Sequence, residues 1–176
     1  MIEKIQITAF ERYLWYIFRS FFIFITTVLV FRFFIFSVGV VNGPSMEPNF
    51  KDENIFYINR FILLMRPPRR GDIVQVIDPK EKKLIIKRVV GVPNDILTIK
   101  RGKVYVEAPG GPEFELDETK YLAADVYTDI PESYQKRTFE LGPNQYFVLG
   151  DNRRVSVDSR YYGPILRSQI VGKIFK

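Results

Sequence analysis

The run from Tyr13 to Phe31, YLWYIFRSFFIFITTVLVF, constrains this chain more than any other stretch. Its nineteen residues, at 1.5 Å each, would span about 28 Å as a helix, close to the hydrocarbon thickness of a bilayer. Only Arg19 interrupts it, near one end, where a long side chain can snorkel to the headgroups beside Tyr13, Trp15 and Tyr16. Two other readings compete. The longest charge-free part, Ser20 to Phe31, has 12 residues, which suits a buried core helix. A cleaved signal peptide is the second, but no small-residue cleavage site follows the run. So many Phe and Ile side chains would be hard to bury in a small domain, and the run is read as a single membrane anchor over residues 13–31. Lys4, Arg12 and Arg19 precede or open it, while Arg32 and Lys51 follow. Charge does not settle the orientation and gives only a weak inside bias for the N-terminus, under which residues 1–12 would be a short cytoplasmic tail and 32–176 an extracytoplasmic domain.

What remains after the anchor is enough for one modest domain. With no cysteine, thiolate catalysis, disulfides and Cys-based metal sites are excluded. The absence of histidine removes the commonest general base and the Ser-His-Asp triad. A hydrolase built on this chain must use lysine, a carboxylate or an oxygen-bound metal. The 26 Lys and Arg are mixed with 20 Asp and Glu, and the densest basic patch, Arg66-Pro67-Pro68-Arg69-Arg70, is short. Nucleic acid is therefore not an expected partner.

From Phe33 onward the pattern is β. Phe33 to Val41 is rich in strand formers. Short strands are expected at Asn54–Ile58, Asp72–Ile77 and Leu84–Val90, the last two forming a hairpin around Lys80-Glu81-Lys82-Lys83. A second hairpin joins Ile96–Lys100 to Lys103–Glu107 across Arg101-Gly102. Gly110 to about Gln135 reads as a polar surface excursion, and Thr138–Leu141 and Gln145–Leu149 return to strand. No helix longer than about two turns is expected outside the anchor.

Asn42-Gly43-Pro44-Ser45-Met46-Glu47-Pro48 places a serine between two prolines, each of which restricts the backbone. Ser45 is either a turn residue or a nucleophile held toward a cleft; a G-x-S-x-G elbow is ruled out by Glu47. On the Leu84–Val90 strand Lys87 points the same way as Ile85 and Val89. It is either an edge-strand lysine that discourages aggregation or an amine whose desolvation favours the neutral, basic form. The polar stretch Gly150 to Gly163 is either a solvated loop or a satisfied buried network. It is not a calcium loop, because Arg153 and Val155 stand where oxygen ligands are needed.

Four blocks occur in order behind the anchor: Ser45-Met46-Glu47-Pro48; Arg70-Gly71-Asp72-Ile73-Val74; Ile86-Lys87-Arg88-Val89-Val90-Gly91-Val92-Pro93-Asn94-Asp95; and Gly150-Asp151-Asn152-Arg153 through Ser156, Asp158, Ser159 and Arg160. Together they resemble bacterial type I signal peptidases from about residue 13 to Pro164. The resemblance implies a mainly β protein, a signal-peptidase-like β-sheet catalytic domain with one N-terminal transmembrane helix. It implies a serine endopeptidase of the bacterial plasma membrane that cleaves signal peptides from exported preproteins by a Ser/Lys dyad through an acyl-enzyme. Ser45 would be the nucleophile, Lys87 the general base and Ser156 the hydroxyl that orients the lysine. Asp158 with Arg160, and Arg88 with Asp151, would be structural ion pairs, and the Ser45 N–H an oxyanion donor. The implied partners are signal peptides with small residues at the first and third positions before the cut, bound as an added strand, together with the lipid bilayer and the translocase; no cofactor or metal is implied. The chain departs from the family pattern at Gly43, where some members have a serine that donates to the oxyanion, at Asn49 in place of threonine, and at Asn94 in place of glycine. Two alternatives are a catalytically inactive membrane-tethered β domain that binds partner proteins, and a soluble self-cleaving repressor relative. The second would need a DNA-binding helical segment where the anchor stands.

Overall fold

Helix α1 spans Ala9–Ile35, four residues longer at each end than the expected anchor. At its start the Thr8 N–H donates to the Glu11 carboxylate at 2.7 Å and the Glu11 N–H donates to Thr8 Oγ1 at 3.3 Å, a capping box that starts the helix early. The structure, a computed structural model, describes residues 8–123, 125–130 and 138–175. Residues 1–7 of the expected tail and 131–137 lie outside the described residues. The 24 residues Ala9–Arg32 are long and apolar enough to cross a membrane, about 36 Å at the helical rise, and none of them is buried. This removes the buried-core-helix reading.

Strand β1 is Phe36–Val40 and β2 is Ile55–Asn59. The strand expected from Phe33 thus begins three residues late. The reason lies in the partner: β2 ends at Asn59, opposite Phe36, and beyond it only Arg60 N–H reaches back, to Ile35 O at 3.1 Å, so the helix continues through residues 33–35. A one-turn helix, α2 (Ile62–Met65), leads to β3 (Ile73–Ile77) and β4 (Leu84–Gly91). The hairpin β5 (Ile96–Lys100) and β6 (Lys103–Glu107) turns at Arg101 and Gly102, at φ 54° and 73°, the left-handed pair that a two-residue hairpin loop requires. Then follow β7 (Glu113–Glu115), β8 (Thr138–Glu140), β9 (Gln145–Leu149), α3 (Ser159–Tyr162), β10 (Ile165–Leu166) and β11 (Ile170–Phe175).

These form two antiparallel sheets, β1-β2-β11-β3-β4-β9-β10 and β7-β6-β5-β8. The sheets meet at Val90, Phe147 and Leu149 of the larger one, against Leu97, Ile99, Val104, Val106 and Phe139 of the smaller. Gly91 marks the junction, since a Cβ there would strike Leu97, Leu141 and Phe147. One further core contains Val74, Val76, Val89, Val148 and Ile165. Another contains Val41, Met46, Phe50, Phe56, Ile58, Ile86 and Ile174 and lies directly under the Ser45 turn. Strand β11 was not expected, yet it occupies the middle of the larger sheet between β2 and β3. The expected surface excursion after Gly110 is also corrected: it contributes β7, paired to β6, and beyond it a set of buttressing contacts to the site.

Candidate active site

The Ser45 turn is pinned from below. Met46 is fully buried, Val41 and Phe50 nearly so, and the turn closes through Glu47 N–H to Pro44 O at 3.1 Å and Phe50 N–H to Met46 O at 2.9 Å. Gly43 adopts φ 88°, which favours glycine, and its N–H donates to Asp52 Oδ1 at 2.7 Å. Apolar anchoring of Met46 therefore fixes the backbone and leaves Ser45 partly exposed at the rim. The Ser45 N–H has no hydrogen-bond partner among the described residues, while its carbonyl accepts from Asn152 N–H at 3.1 Å.

Strand β4 brings Lys87 to this turn, and Nζ donates to Ser45 Oγ at 2.9 Å. The lysine is only 3% exposed. It is paired across the sheet with Val74, on the face that holds Val74, Ile85 and Val89. Burial pushes the ammonium down from 10.5 to about 8, against the upward pull of the Asp158 and Asp78 carboxylates. At that value roughly a tenth of the amine is neutral at pH 7, compared with well under 0.1% for an ordinary lysine. A neutral amine at hydrogen-bond distance from a hydroxyl can accept its proton.

Two buried ion pairs support the site from the last polar stretch. Arg88 binds Asp151 through two 2.7 Å bonds, donates to Gly71 O at 3.0 Å and stacks 4.0 Å from the Tyr121 ring. Asp158, fully buried, accepts from Arg160 Nε at 2.8 Å and Nη2 at 2.9 Å, and also from Gly150 N–H at 3.0 Å. Arg160 in turn donates to the carbonyls of Arg153, Ser156 and Asp129. Ser156 is buried and its hydroxyl makes no hydrogen bond among the described residues, so the contact expected between it and Lys87 is not formed. Gly150 lies where these parts converge. A Cβ on it would overlap the Ser156 side chain and come within 2.5 Å of the Ser45 carbonyl oxygen. Gly150→Ala is therefore expected to displace Ser45 and to lower kcat/KM of the peptide cleavage that the resemblance implies by about 100-fold, the effect of an ångström-scale misplacement. An unchanged rate in a folded variant would show that the contact is not needed.

A cleft of about 200 Å³ opens beside Ser45, between the free edge of β1 and the Leu84–Ile86 end of β4. Those two strands are not hydrogen-bonded to each other. A larger cleft of about 640 Å³, lined by Pro48, Asn49, Arg70, Arg88 and Tyr121, includes neither Ser45 nor Lys87.

Residues 14–176 match the family model described as signal peptidase, peptidase S26. The chain belongs to this family. It is similar to a signal peptidase I of Bacillus caldolyticus, 34% identical over 155 residues that cover 87% of this chain and 85% of that protein. It is also similar to signal peptidase I V of Bacillus subtilis (strain 168), 35% identical over 136 residues, 76% of this chain and 80% of that protein. A crystal structure of a signal peptidase I from Enterococcus faecalis V583 aligns with a TM-score of 0.47 and 25% identity, over 62% of this chain and 98% of that chain.

As a hydrolase of the signal peptidase family, the chain has site residues that sequence reasoning did not single out. Asn49, a departure from the family pattern, donates from Nδ2 to both Asp151 Oδ2 at 2.9 Å and the Tyr121 carbonyl at 2.8 Å. Arg153 is buried, with Nη2 on Glu118 Oε1 at 2.5 Å, Nη1 on Thr128 Oγ1 and Nε on the Gly150 carbonyl at 3.1 Å. Glu118, Tyr121 and Thr128 all belong to the segment read as a surface excursion. Their partners outside that segment are 25 or more residues away, so no local spacing pointed to them.

Proposed function

We propose that this chain is a membrane-anchored serine endopeptidase that removes signal peptides from exported preproteins, with Ser45 as nucleophile and Lys87 as general base. The carrying observation is the 2.9 Å contact between Ser45 Oγ and a buried amine whose pKa is lowered to about 8. Neutral Lys87 takes the Ser45 proton as Oγ attacks the scissile carbonyl, and the Ser45 N–H, without a partner among the described residues, donates to the resulting oxyanion. Collapse of the intermediate breaks the C–N bond, and the lysine ammonium gives its proton to the departing amine. The neutral amine then takes a proton from water, which attacks the Ser45 ester; the acyl C–Oγ bond breaks, the ammonium returns the proton to Ser45 Oγ, and the signal peptide leaves as its carboxylate. The unpartnered Ser156 hydroxyl supports a role in holding the amine once Ser45 is acylated. Asp158, Arg160, Arg88 and Asp151 hold the loop and strand that carry these groups.

The signal peptide enters as a strand beside the free edge of β1. Helix α1 runs directly into that strand, and the outward side chains Phe36, Val38 and Val40 are about half or more exposed, as are Ile55 and Tyr57 of β2. This apolar face, continuous with the anchor, supports a catalytic domain (residues 32–176) resting on the outer surface of the plasma membrane, near the translocase, with residues 1–12 cytoplasmic. A signal peptide would then be cut where it leaves the bilayer. The test is to reconstitute the full chain in vesicles and present a preprotein. We expect one cut after a small residue, identified by mass, and loss of the cutting activity when protease is added on the catalytic-domain side. An intact preprotein, or cleavage at scattered sites, would refute the proposal.

A further inference from the structure

The cleft beside Ser45 has a mixed lining in which Asn42 and Ser45 stand at the rim. Gly39, Val41, Met46, Phe56, Leu84 and Ile86 contribute hydrocarbon or backbone, and Gln75 contributes a carboxamide. Gln75 sits on β3 with Ile86 of β4 and Gly172 of β11 as its Cα partners, so it shares the Ile86 face of the sheet. It is only 7% exposed, and its Oε1 is buried without a hydrogen-bond partner. Buried polar atoms are otherwise satisfied almost throughout native proteins, because an unmade bond there is costly. Asn42, the other carboxamide of the cleft, is exposed to water, whereas Gln75 is buried with an unpaired oxygen and calls for a partner from the substrate.

We infer that Gln75 makes this enzyme select a hydroxyl-bearing residue, serine or threonine, at the third position before the cut. The inference rests on the signal-peptidase reading of the site. In an extended peptide the first and third side chains before the cut lie on one face, about 6.6 Å apart. The first must sit against Ser45 and Lys87. The carboxamide lies one strand further on, opposite Ile86, and so falls to the third. A hydroxyl both donates and accepts, and pairs with the amide whichever way round the amide lies. The small volume, about 200 Å³, and the hydrocarbon of Phe56, Leu84 and Ile86 around Gln75 disfavour large or charged side chains.

The test uses the full chain in detergent and a preprotein series that differs only at the third residue before the cut: Ala, Ser, Val and Thr. Thr and Val have nearly the same shape, so their ratio isolates the hydroxyl. We expect kcat/KM to favour Ser over Ala and Thr over Val by about three- to tenfold, the range one neutral hydrogen bond carries. In Gln75→Met, which keeps length without polar atoms, both ratios fall toward one. Ratios near one in the unaltered enzyme, or ratios that persist in Gln75→Met, overturn the inference while leaving the peptidase assignment standing. If Gln75→Met fails to fold, the Thr/Val ratio of the unaltered enzyme decides, with the same exchange at the first position as reference: a hydroxyl preference confined to the third position supports the inference, and one shared equally by both positions overturns it. If no member of the series is cut, the signal-peptidase reading itself fails and this inference with it.

Discussion

Ser45→Ala and Lys87→Met are each expected to reduce kcat/KM for preprotein cleavage by about 10⁴-fold or more, and the double variant to be no slower than either alone. In the proposed dyad the two groups perform one step. Without the amine the hydroxyl keeps its proton, and without the hydroxyl the amine has nothing to activate but water. The 2.9 Å contact makes the non-additivity specific, since independent contributions would multiply. Initial rates on a purified preprotein, with enzyme in detergent, measure all three; normal processing by either single variant would remove the dyad. The unaltered enzyme carries a second signature. Only the neutral amine is a base, so kcat/KM should rise with pH and level off above about 8. No histidine is available to supply an alternative acid limb.

The same lysine has the opposite effect on stability. Its folded-state pKa lies below the ordinary 10.5, so between about 8 and 10.5 the unfolded chain binds a proton that the folded chain does not. Stability from this group therefore rises with pH across that window. Below about pH 8 the folded enzyme bears the whole cost, on the order of 3 kcal/mol. Lys87→Met should then be more stable than the active enzyme at pH 7 and equally inactive at every pH. This is the usual conflict between a poised catalytic group and a comfortable core.

How far the site could be read in advance depended on whether each signal was local. Alternating apolar residues around Lys87 and the Arg101-Gly102 turn are local, and β4 and the β5–β6 hairpin lie where those patterns put them. The end of α1 was misread because propensity at residues 33–35 is decided by where the partner strand stops. Strand β11 had a usable signal, with Ile170, Gly172 and Ile174 buried in alternation. The lone glycine and the flanking Ser168 and Gln169 masked it. Glu118, Tyr121 and Thr128 had none, because an isolated polar residue acquires meaning only when folding brings it to a buried guanidinium. Gln75 interrupts an otherwise apolar strand, Ile73–Ile77, and only the sheet's topology turns that interruption into a feature of the cleft beside Ser45.

Asp158 connects stability with pH dependence. Replacing it by asparagine keeps the shape but takes the partner from Arg160, which is 4% exposed, and weakens the acceptor for Gly150 N–H. Removing one side of a buried pair costs about 3–5 kcal/mol, seen as a lower denaturant midpoint. Exchanging both residues, Asp158→Asn with Arg160→Met, should cost less than Asp158→Asn alone, because no uncompensated charge stays buried. The effect on Lys87 has a definite sign. After burial, the Asp158 carboxylate is the strongest influence on the amine, and it raises the pKa, whereas Arg160 lowers it. With the carboxylate neutralised and the guanidinium left in place, both changes act downward. The acid limb of kcat/KM in the folded Asp158→Asn variant should move below about 8, so that a larger share of its own maximal rate survives at pH 6. A purely structural role would weaken the enzyme and leave that limb where it was. A shift toward higher pH would mean that Asp158 does not act on Lys87 through its charge.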